Sequence, residues 1–172
     1  MRRSEGVTLL ELLTVILLAG LLTVLGGSGL AGALQRTRLR AAADQVMVSL
    51  NLLRNEAIKG NRTVSMCASS DGRSCSGNWS AGWILFSDMN ANRILDPAGG
   101  DAVLRVFNGL AGGHTFATTA TISSLSYYSD GSSAAAGSIR ICPADRDTET
   151  SWSIVVNTVG RPRLRAGTSI CP

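Results

Sequence analysis

The residue whose chemistry stands out first is Glu11, the sole charged residue of positions 7–34. A carboxylate inside an apolar helix is costly to bury and therefore marks a functional position. Its natural partner is a cation at the same depth. Cleavage after Gly6 would create one, the free amine of Val7, and the amine of one chain could then neutralise Glu11 of its neighbour. A plain membrane anchor that tolerates Glu11 is the alternative.

A second group of residues lies near the C-terminus, where Arg161, Arg163 and Arg165 alternate with other residues. In an extended strand, alternate residues face the same side and lie about 6.6 Å apart. No acidic residue follows Glu149, so this end is cationic. Guanidinium groups suit planar anions, and the pattern predicts contacts to phosphate groups without sequence preference. A solvated strand, or one that faces another subunit, is the alternative.

The cysteines are a third group: Cys67, Cys75, Cys142 and Cys171. They include no C-x-x-C pair, and the single histidine, His114, is remote in sequence, which argues against a zinc site. An even number in an exported domain indicates two disulfides. Of the three possible pairings we favour Cys67 with Cys75, closing a polar loop, and Cys142 with Cys171, tying the C-terminus to a strand. Four buried thiols are the alternative.

Oxygen-bearing side chains recur in a segment that resembles the start of a calcium loop: Asp88, Asn90, Asn92 and Asp96. Where an EF-hand requires glycine and glutamate, however, the chain has Arg93 and Gly99. We predict that these side chains cap a tight turn, with no metal and no cofactor. We also predict that the chain is not an enzyme, because no nucleophile or metal-ligand spacing is present.

A long helix and a set of strands must position these groups. Apolar residues recur near a 3.6-residue period from Gln35 to Lys59, which predicts an amphipathic helix that ends near Gly60. This helix continues the apolar run, whose glycine cluster at 26–29 is either a hinge or a close packing site. Beyond it, turn-rich segments separate candidate strands: Thr63–Ala68, Gly82–Ser87, Ala102–Phe107, Thr121–Tyr128, Ser138–Cys142, Trp152–Val159 and Arg163–Ala166.

The predicted fold is α+β, with the long N-terminal helix packed on an antiparallel β-sheet domain. We divide the 172 residues into a leader (1–6), a transmembrane or filament-core helix (7–34), its amphipathic continuation (35–60) and a β-rich globular domain (61–172). The apolar run exceeds the roughly 20 residues needed to cross a bilayer. Because the leader carries Arg2 and Arg3, we expect it to stay cytoplasmic, with the globular domain in the periplasm.

The N-terminal run at 6–11, Gly-Val-Thr-Leu-Leu-Glu, resembles the class III signal of type IV prepilins and type II secretion pseudopilins. The resemblance implies cleavage between Gly6 and Val7 by a prepilin peptidase, and methylation of the new amine. The family usually has Phe where this chain has Val7. Residues 82–92, Gly-Trp-Ile-Leu-Phe-Ser-Asp-Met-Asn-Ala-Asn, resemble the strand and D-x-N-x-N turn of the GspH/FimT branch of pilin-like proteins.

The run at 160–165, Gly-Arg-Pro-Arg-Leu-Arg, is similar to the C-terminal G-R-x-R of FimT-type minor pilins, which bind DNA during natural transformation. Arg161 and Arg163 match that motif, whereas Arg165 has no counterpart in it. The resemblance implies an inner-membrane minor pilin of a type IV pilus that offers a DNA-binding surface. The alternatives are a GspH-type pseudopilin of a type II secretion system and a purely structural tip subunit. Expected partners are a prepilin peptidase, other pilins or pseudopilins, and DNA.

Overall fold

The computed structural model describes residues 6–118, 124–167 and 171, with the side chains of residues 22–30 excepted. The predicted leader therefore lies outside the described residues, apart from Gly6. The described elements are the helix α1 (Leu9–Gly60), a short 3-10 turn (Pro97–Gly99) and the strands β1 (Val64–Ala68), β2 (Gly82–Ser87), β3 (Val103–Asn108), β4 (Thr115–Thr118), β5 (Ser124–Tyr127), β6 (Gly137–Cys142), β7 (Trp152–Val156) and β8 (Pro162–Ala166).

Residues up to Thr37 form one compact unit. The hydroxyl of Thr8 accepts a hydrogen bond of 3.3 Å from the backbone N–H of Glu11, which caps the first turn of α1. Among the residues that the structure describes, no helix has the length and hydropathy needed to cross a membrane. The anchor at 7–34 stays a prediction, and the contacts of its glycine cluster lie outside the described residues.

The second unit begins at Arg38 and contains the hydrophobic core. Its part of α1 buries one face, on which the apolar residues are three or four positions apart: Leu39, Ala43, Val46, Leu50, Leu53 and Ala57. This spacing is that of one stripe along a helix. The helix ends where predicted, because Asn61 adopts a φ of 45° and the N–H of Arg62 donates a hydrogen bond to the carbonyl of Ala57.

Two antiparallel sheets contribute the rest of the core, in the strand orders β3-β2-β1-β5 and β4-β6-β7-β8. The inner face of the first sheet includes Met66, Trp83 and Leu85, and that of the second includes Ile141 and Ile154. Trp83 also donates through its indole N–H to the hydroxyl of Ser49 on α1, at 3.0 Å. A helix packed on antiparallel sheets confirms the predicted α+β class.

Three strands differ from the prediction. Strand β4 was not predicted, because its four residues follow the turn glycines Gly112 and Gly113, both with positive φ. The candidate strand at 121–128 corresponds to β5, and residues 121–123 lie outside the described residues. The candidate at 152–159 is too long. Its strand, β7, ends at Val156, because the next residues form a turn.

Candidate nucleic-acid interface

The C-terminal arginines lie on an edge strand and in the turn that precedes it. In its sheet, β8 pairs with β7 alone, and Arg163 and Arg165 belong to it while Arg161 comes directly before it. All three side chains are exposed. Among the described residues, none of the three guanidinium groups has a hydrogen-bond or ion-pair partner. Their charges are therefore available to an external anion.

The turn between β7 and β8 fixes the start of this basic strand. Gly160 donates its N–H to the carbonyl of Asn157 at 2.8 Å, and the side-chain oxygen of Asn157 accepts the N–H of Arg161 at 3.0 Å. Gly160 has a φ of 78°, and a Cβ there would overlap the carbonyl oxygen of Gly131 and lie 2.8 Å from the ring of Tyr127. Glycine is therefore required at this turn.

The turn rests on a loop that is itself held by the helix. Arg54 of α1 donates through Nε to the carbonyl of Gly131 at 2.9 Å, and Ser133 donates its N–H to the carbonyl of Thr158 at 3.0 Å. Tyr127 is fully buried beside this loop, and burial raises the pKa of its phenol to about 12. These groups hold the turn before β8 in place, and the same loop exposes Asp130, whose pKa is lowered by hydrogen bonds from Ser132.

The register of the second sheet adds an arginine that the sequence analysis missed. Arg140 on β6 lies opposite Ser153 on β7, and Ser153 lies opposite Arg165 on β8. Residues in register point to the same face of a sheet. Ile139 and Ile141 face the core, so Arg140 faces outward with Arg165. The alternation of isoleucine and arginine in β6 is a local signal for this orientation, but it does not identify the neighbouring strand.

A disulfide holds the other end of the basic strand. After β8, Gly167 donates its N–H to the carbonyl of Ser151 at 2.9 Å, and Cys171 is bonded to Cys142 of β6. The remaining cysteines, Cys67 and Cys75, form the second bridge. These are the pairs that we favoured from the sequence. Strand β8 is therefore tied at both ends, by the turn at Gly160 and by the bridge to β6.

A cluster of acidic residues lies at one end of this surface. The turn between β6 and β7 exposes Asp145, Asp147 and Glu149, and it adjoins the Ala166 end of β8. Arg161 lies at the opposite end of the strand.

On the helix, Arg40 is paired with Asp44 at 3.0 Å and stacks 4.3 Å from the ring centre of Trp152. Arg40 is thus exposed but engaged by Asp44 and Trp152, in contrast to the arginines of β8.

The calcium-like segment is a turn capped by its own side chains. Asp88 is buried, and its carboxylate accepts the hydroxyl of Ser65 at 2.6 Å and the N–H groups of Asn92 at 3.0 Å and Arg93 at 2.9 Å. Asn92 in turn accepts the N–H of Ile94 at 2.8 Å. Among the described residues, no group of His, Cys, Asp and Glu side chains is placed to hold a metal ion.

The residues predicted for processing and assembly lie in the first unit. Gly6 and Val7 precede the helix and are exposed, and Glu11 is exposed in the first turn of α1. Large apolar side chains of the same unit are also exposed: Val7, Leu9, Leu10, Leu12, Leu13, Val15, Ile16, Leu17, Leu18, Leu21 and Leu34. An apolar surface of this extent calls for a covering, by lipid or by other subunits.

Comparison with known proteins bears on the family and the fold of the chain. The family described as type II transport protein GspH matches residues 42–160. The chain resembles the type IV minor pilin FimU of Pseudomonas aeruginosa strain PAO1, with a TM-score of 0.62, 21% identity, and coverage of 77% of this chain and 91% of that chain. It also resembles the minor pseudopilin EpsH from the type 2 secretion system of Vibrio cholerae, with a TM-score of 0.55, 16% identity, and coverage of 77% and 99%. A comparison with curated protein sequences finds no match.

Proposed function

We propose a specific role for this chain, which belongs to the GspH family and is a minor pilin or pseudopilin. The proposed role is that of a type IV pilus minor pilin whose globular domain binds DNA without sequence preference, for DNA uptake. Members of this family are structural subunits of filaments, and we propose no catalytic step. The binding residues are Arg161, Arg163 and Arg165.

The observation that supports DNA binding is a set of three exposed guanidinium groups, two on a tied edge strand and one in the turn before it, that have no partner among the described residues. A strand spaces alternate residues by about 6.6 Å, so the charges are presented in a row rather than on flexible loops. Each phosphate contact releases condensed counterions, and three contacts give a log–log slope of binding constant against salt of about −2.7. Binding of this kind reads the DNA backbone and carries no base preference.

The test is a titration of labelled duplex DNA with the full chain in a non-ionic detergent. The variant Arg161→Gln/Arg163→Gln/Arg165→Gln is expected to lose most of the salt-sensitive binding. A matched control is Arg73→Gln/Arg93→Gln/Arg105→Gln, which removes equal charge from exposed positions in the loop after β1, in the loop after β2 and on β3. Equal losses in the two variants would mean that overall charge, and not the basic strand, attracts the DNA.

We also propose that the chain is made as a precursor, cut between Gly6 and Val7 and methylated at the new amine. Both residues are exposed and lie outside the helix, where a peptidase can reach an extended backbone. Glu11 would then pair with the amine of a neighbouring subunit, and the apolar residues before Thr37 would be covered first by the inner membrane and later by the filament. Mass spectrometry of the chain co-expressed with a prepilin peptidase tests the proposed cleavage and methylation. An intact N-terminus would contradict it.

A second candidate function is that of a pseudopilin in a type II secretion system. The similarity to EpsH and the family description favour it. In that role the arginines of β8 would contact an acidic surface of another subunit or of an exported protein. The titration above separates the two candidates, because a pseudopilin of this kind has no need to bind DNA.

A further inference from the structure

We propose that Tyr128 stacks on an unpaired DNA base, so that the DNA-binding surface prefers a single strand to a duplex. This inference rests on the proposed function and names the substrate of the same surface. It starts from exposure, because Tyr128 is 42% exposed whereas its neighbour Tyr127 is fully buried. The hydroxyl of Tyr128 has no partner among the described residues. The ring is therefore available to a ligand.

Tyr128 begins the turn against which the arginine turn packs. Gly131 donates its N–H to the carbonyl of Tyr128 at 2.9 Å, which closes this turn. The carbonyl oxygen of Gly131 lies so close to Gly160 that a Cβ on Gly160 would overlap it. Arg161 is the next residue in the chain. Tyr128 and Arg161 therefore belong to two turns that are in direct contact.

Strand pairing gives the distance between the ring and the arginines. Tyr127 pairs with Ser133, and Ser133 donates its N–H to the carbonyl of Thr158, just beyond the end of β7. Strand β8 lies on the other side of β7. Because neighbouring strands are about 4.8 Å apart, three such steps place the backbone of Tyr128 about 14 Å from that of Arg161. A few nucleotides of an extended strand span this distance.

The ring and the arginines of β8 face the outside of the domain. Tyr127 belongs to the core, so the alternation of side chains along an extended chain directs Tyr128 away from it. On β7, Val156 belongs to the core, so Val155 and its partner Arg163 face away from it. A strand of DNA outside the domain can therefore meet both Tyr128 and Arg163.

The surroundings of Tyr128 suit a base better than a phosphate. Ile58 on α1 and Val159 in the arginine turn are 44% and 59% exposed. The Cδ1 methyl of Ile58 lies 2.8 Å from the position that a Cβ on Gly131 would take, so Ile58 borders the Tyr128 turn. Asp130 is exposed in the same turn, and its negative charge repels a phosphate but not a neutral base. The DNA backbone is therefore expected to follow the arginines, with a base turned toward Tyr128.

An unpaired base is the DNA group that this ring can stack on. Proteins that bind single strands combine a cationic path for the backbone with aromatic rings for the bases, and the stacking tolerates any sequence because every base has a π face. In a duplex, a base must first leave its pair and its stack, and a single strand avoids that cost. The surface formed by Tyr128 and the arginines has both parts.

The test uses the full chain in a non-ionic detergent and three labelled ligands: a short single strand, the same strand with abasic sites in place of its bases, and a blunt duplex. Loss of one stacked base weakens binding about 5- to 150-fold. We expect Tyr128→Leu to weaken single-strand binding within this range and to leave the log–log salt slope unchanged, because no charge is removed. Binding of the abasic strand and of the duplex should not change.

Two further variants are controls. Tyr128→Phe keeps the ring and should bind the single strand as the wild-type chain does. Val106→Ala shortens another exposed apolar side chain, on β3 in the first sheet, and should change the binding of none of the three ligands. Thermal unfolding of each variant shows whether the fold is retained.

The outcomes separate this inference from the function on which it rests. If the duplex binds through Arg161, Arg163 and Arg165 while Tyr128→Leu leaves single-strand binding unchanged, the inference is wrong and the proposed function stands. If Tyr128→Leu weakens the abasic strand as much as the normal strand, the ring does not stack on a base. If Tyr128→Phe loses as much binding as Tyr128→Leu, the ring is not the group that binds, and the assignment is overturned. If the wild-type chain binds none of the ligands, both proposals fail.

Discussion

Loss of the Cys142–Cys171 bridge should destabilise the globular domain more than loss of the Cys67–Cys75 bridge. The two bridges have sequence separations of 29 and 8 residues. In the chain-entropy treatment, these loops correspond to about 3.6 and about 2.5 kcal/mol of stability at 25 °C. The longer loop encloses β7 and β8, so its bridge also ties the basic strand to β6. The shorter loop closes only the polar segment after β1.

The variants are Cys142→Ala/Cys171→Ala and, as the matched control, Cys67→Ala/Cys75→Ala. Unfolding in urea gives the free energy of unfolding by linear extrapolation. For a chain of this size, about 3.6 kcal/mol corresponds to a fall in Tm of roughly 7–14 °C. The reasoning is refuted if the two variants lose equal stability, if their order is reversed, or if the first loses less than about 1 kcal/mol.

The remaining predictions concern the turn, the histidine and the buried carboxylate. Gly160→Ala should cost about 2 kcal/mol or more in urea unfolding, whereas Gly112→Ala, with a φ of 75° but ordinary contacts, should cost less. Burial lowers the pKa of His114 below its ordinary 6.5, with Asp145 opposing and Arg38 adding to the shift. The unfolded chain therefore binds more protons below pH 6.5, so stability should fall as the pH drops through this window, and less so in His114→Gln. Asp88→Asn should lower the free energy of unfolding by about 1–3 kcal/mol. Added calcium should leave the wild-type Tm unchanged, and a rise in Tm would indicate a calcium site.

The helix and most strands were predictable because their signals are local. The 3.6-residue spacing of buried residues from Leu39 to Ala57 and the stop at Asn61 are properties of one segment. Strand β4 was missed because four residues after two turn glycines carry too little pattern, and its strand character depends on pairing with β6. The end of β7 depends on the turn at Gly160, whose constraint comes from Gly131, a residue distant in sequence.

Part of the candidate site was likewise predictable from a local pattern, and part of it depends on strand pairing. The alternation of arginine and other residues in 160–165 predicted a row of charges, and the structure places these residues on an exposed edge strand. Arg140 is separated from that run by more than one turn, and its position beside Arg165 follows from the registers of β6 with β7 and of β7 with β8. Sequence alone fixes neither register, because both hairpin connections are longer than a two-residue turn.

The most direct measurement is the salt dependence of duplex DNA binding by the full chain in a non-ionic detergent. A log–log slope of about −2.7, for three phosphate contacts, is the expected result. The slope should fall below about 1 in magnitude in the Arg161→Gln/Arg163→Gln/Arg165→Gln variant. A wild-type chain that does not bind, or whose binding is insensitive to salt, would contradict a DNA-binding minor pilin and leave the arginines as a contact between filament subunits.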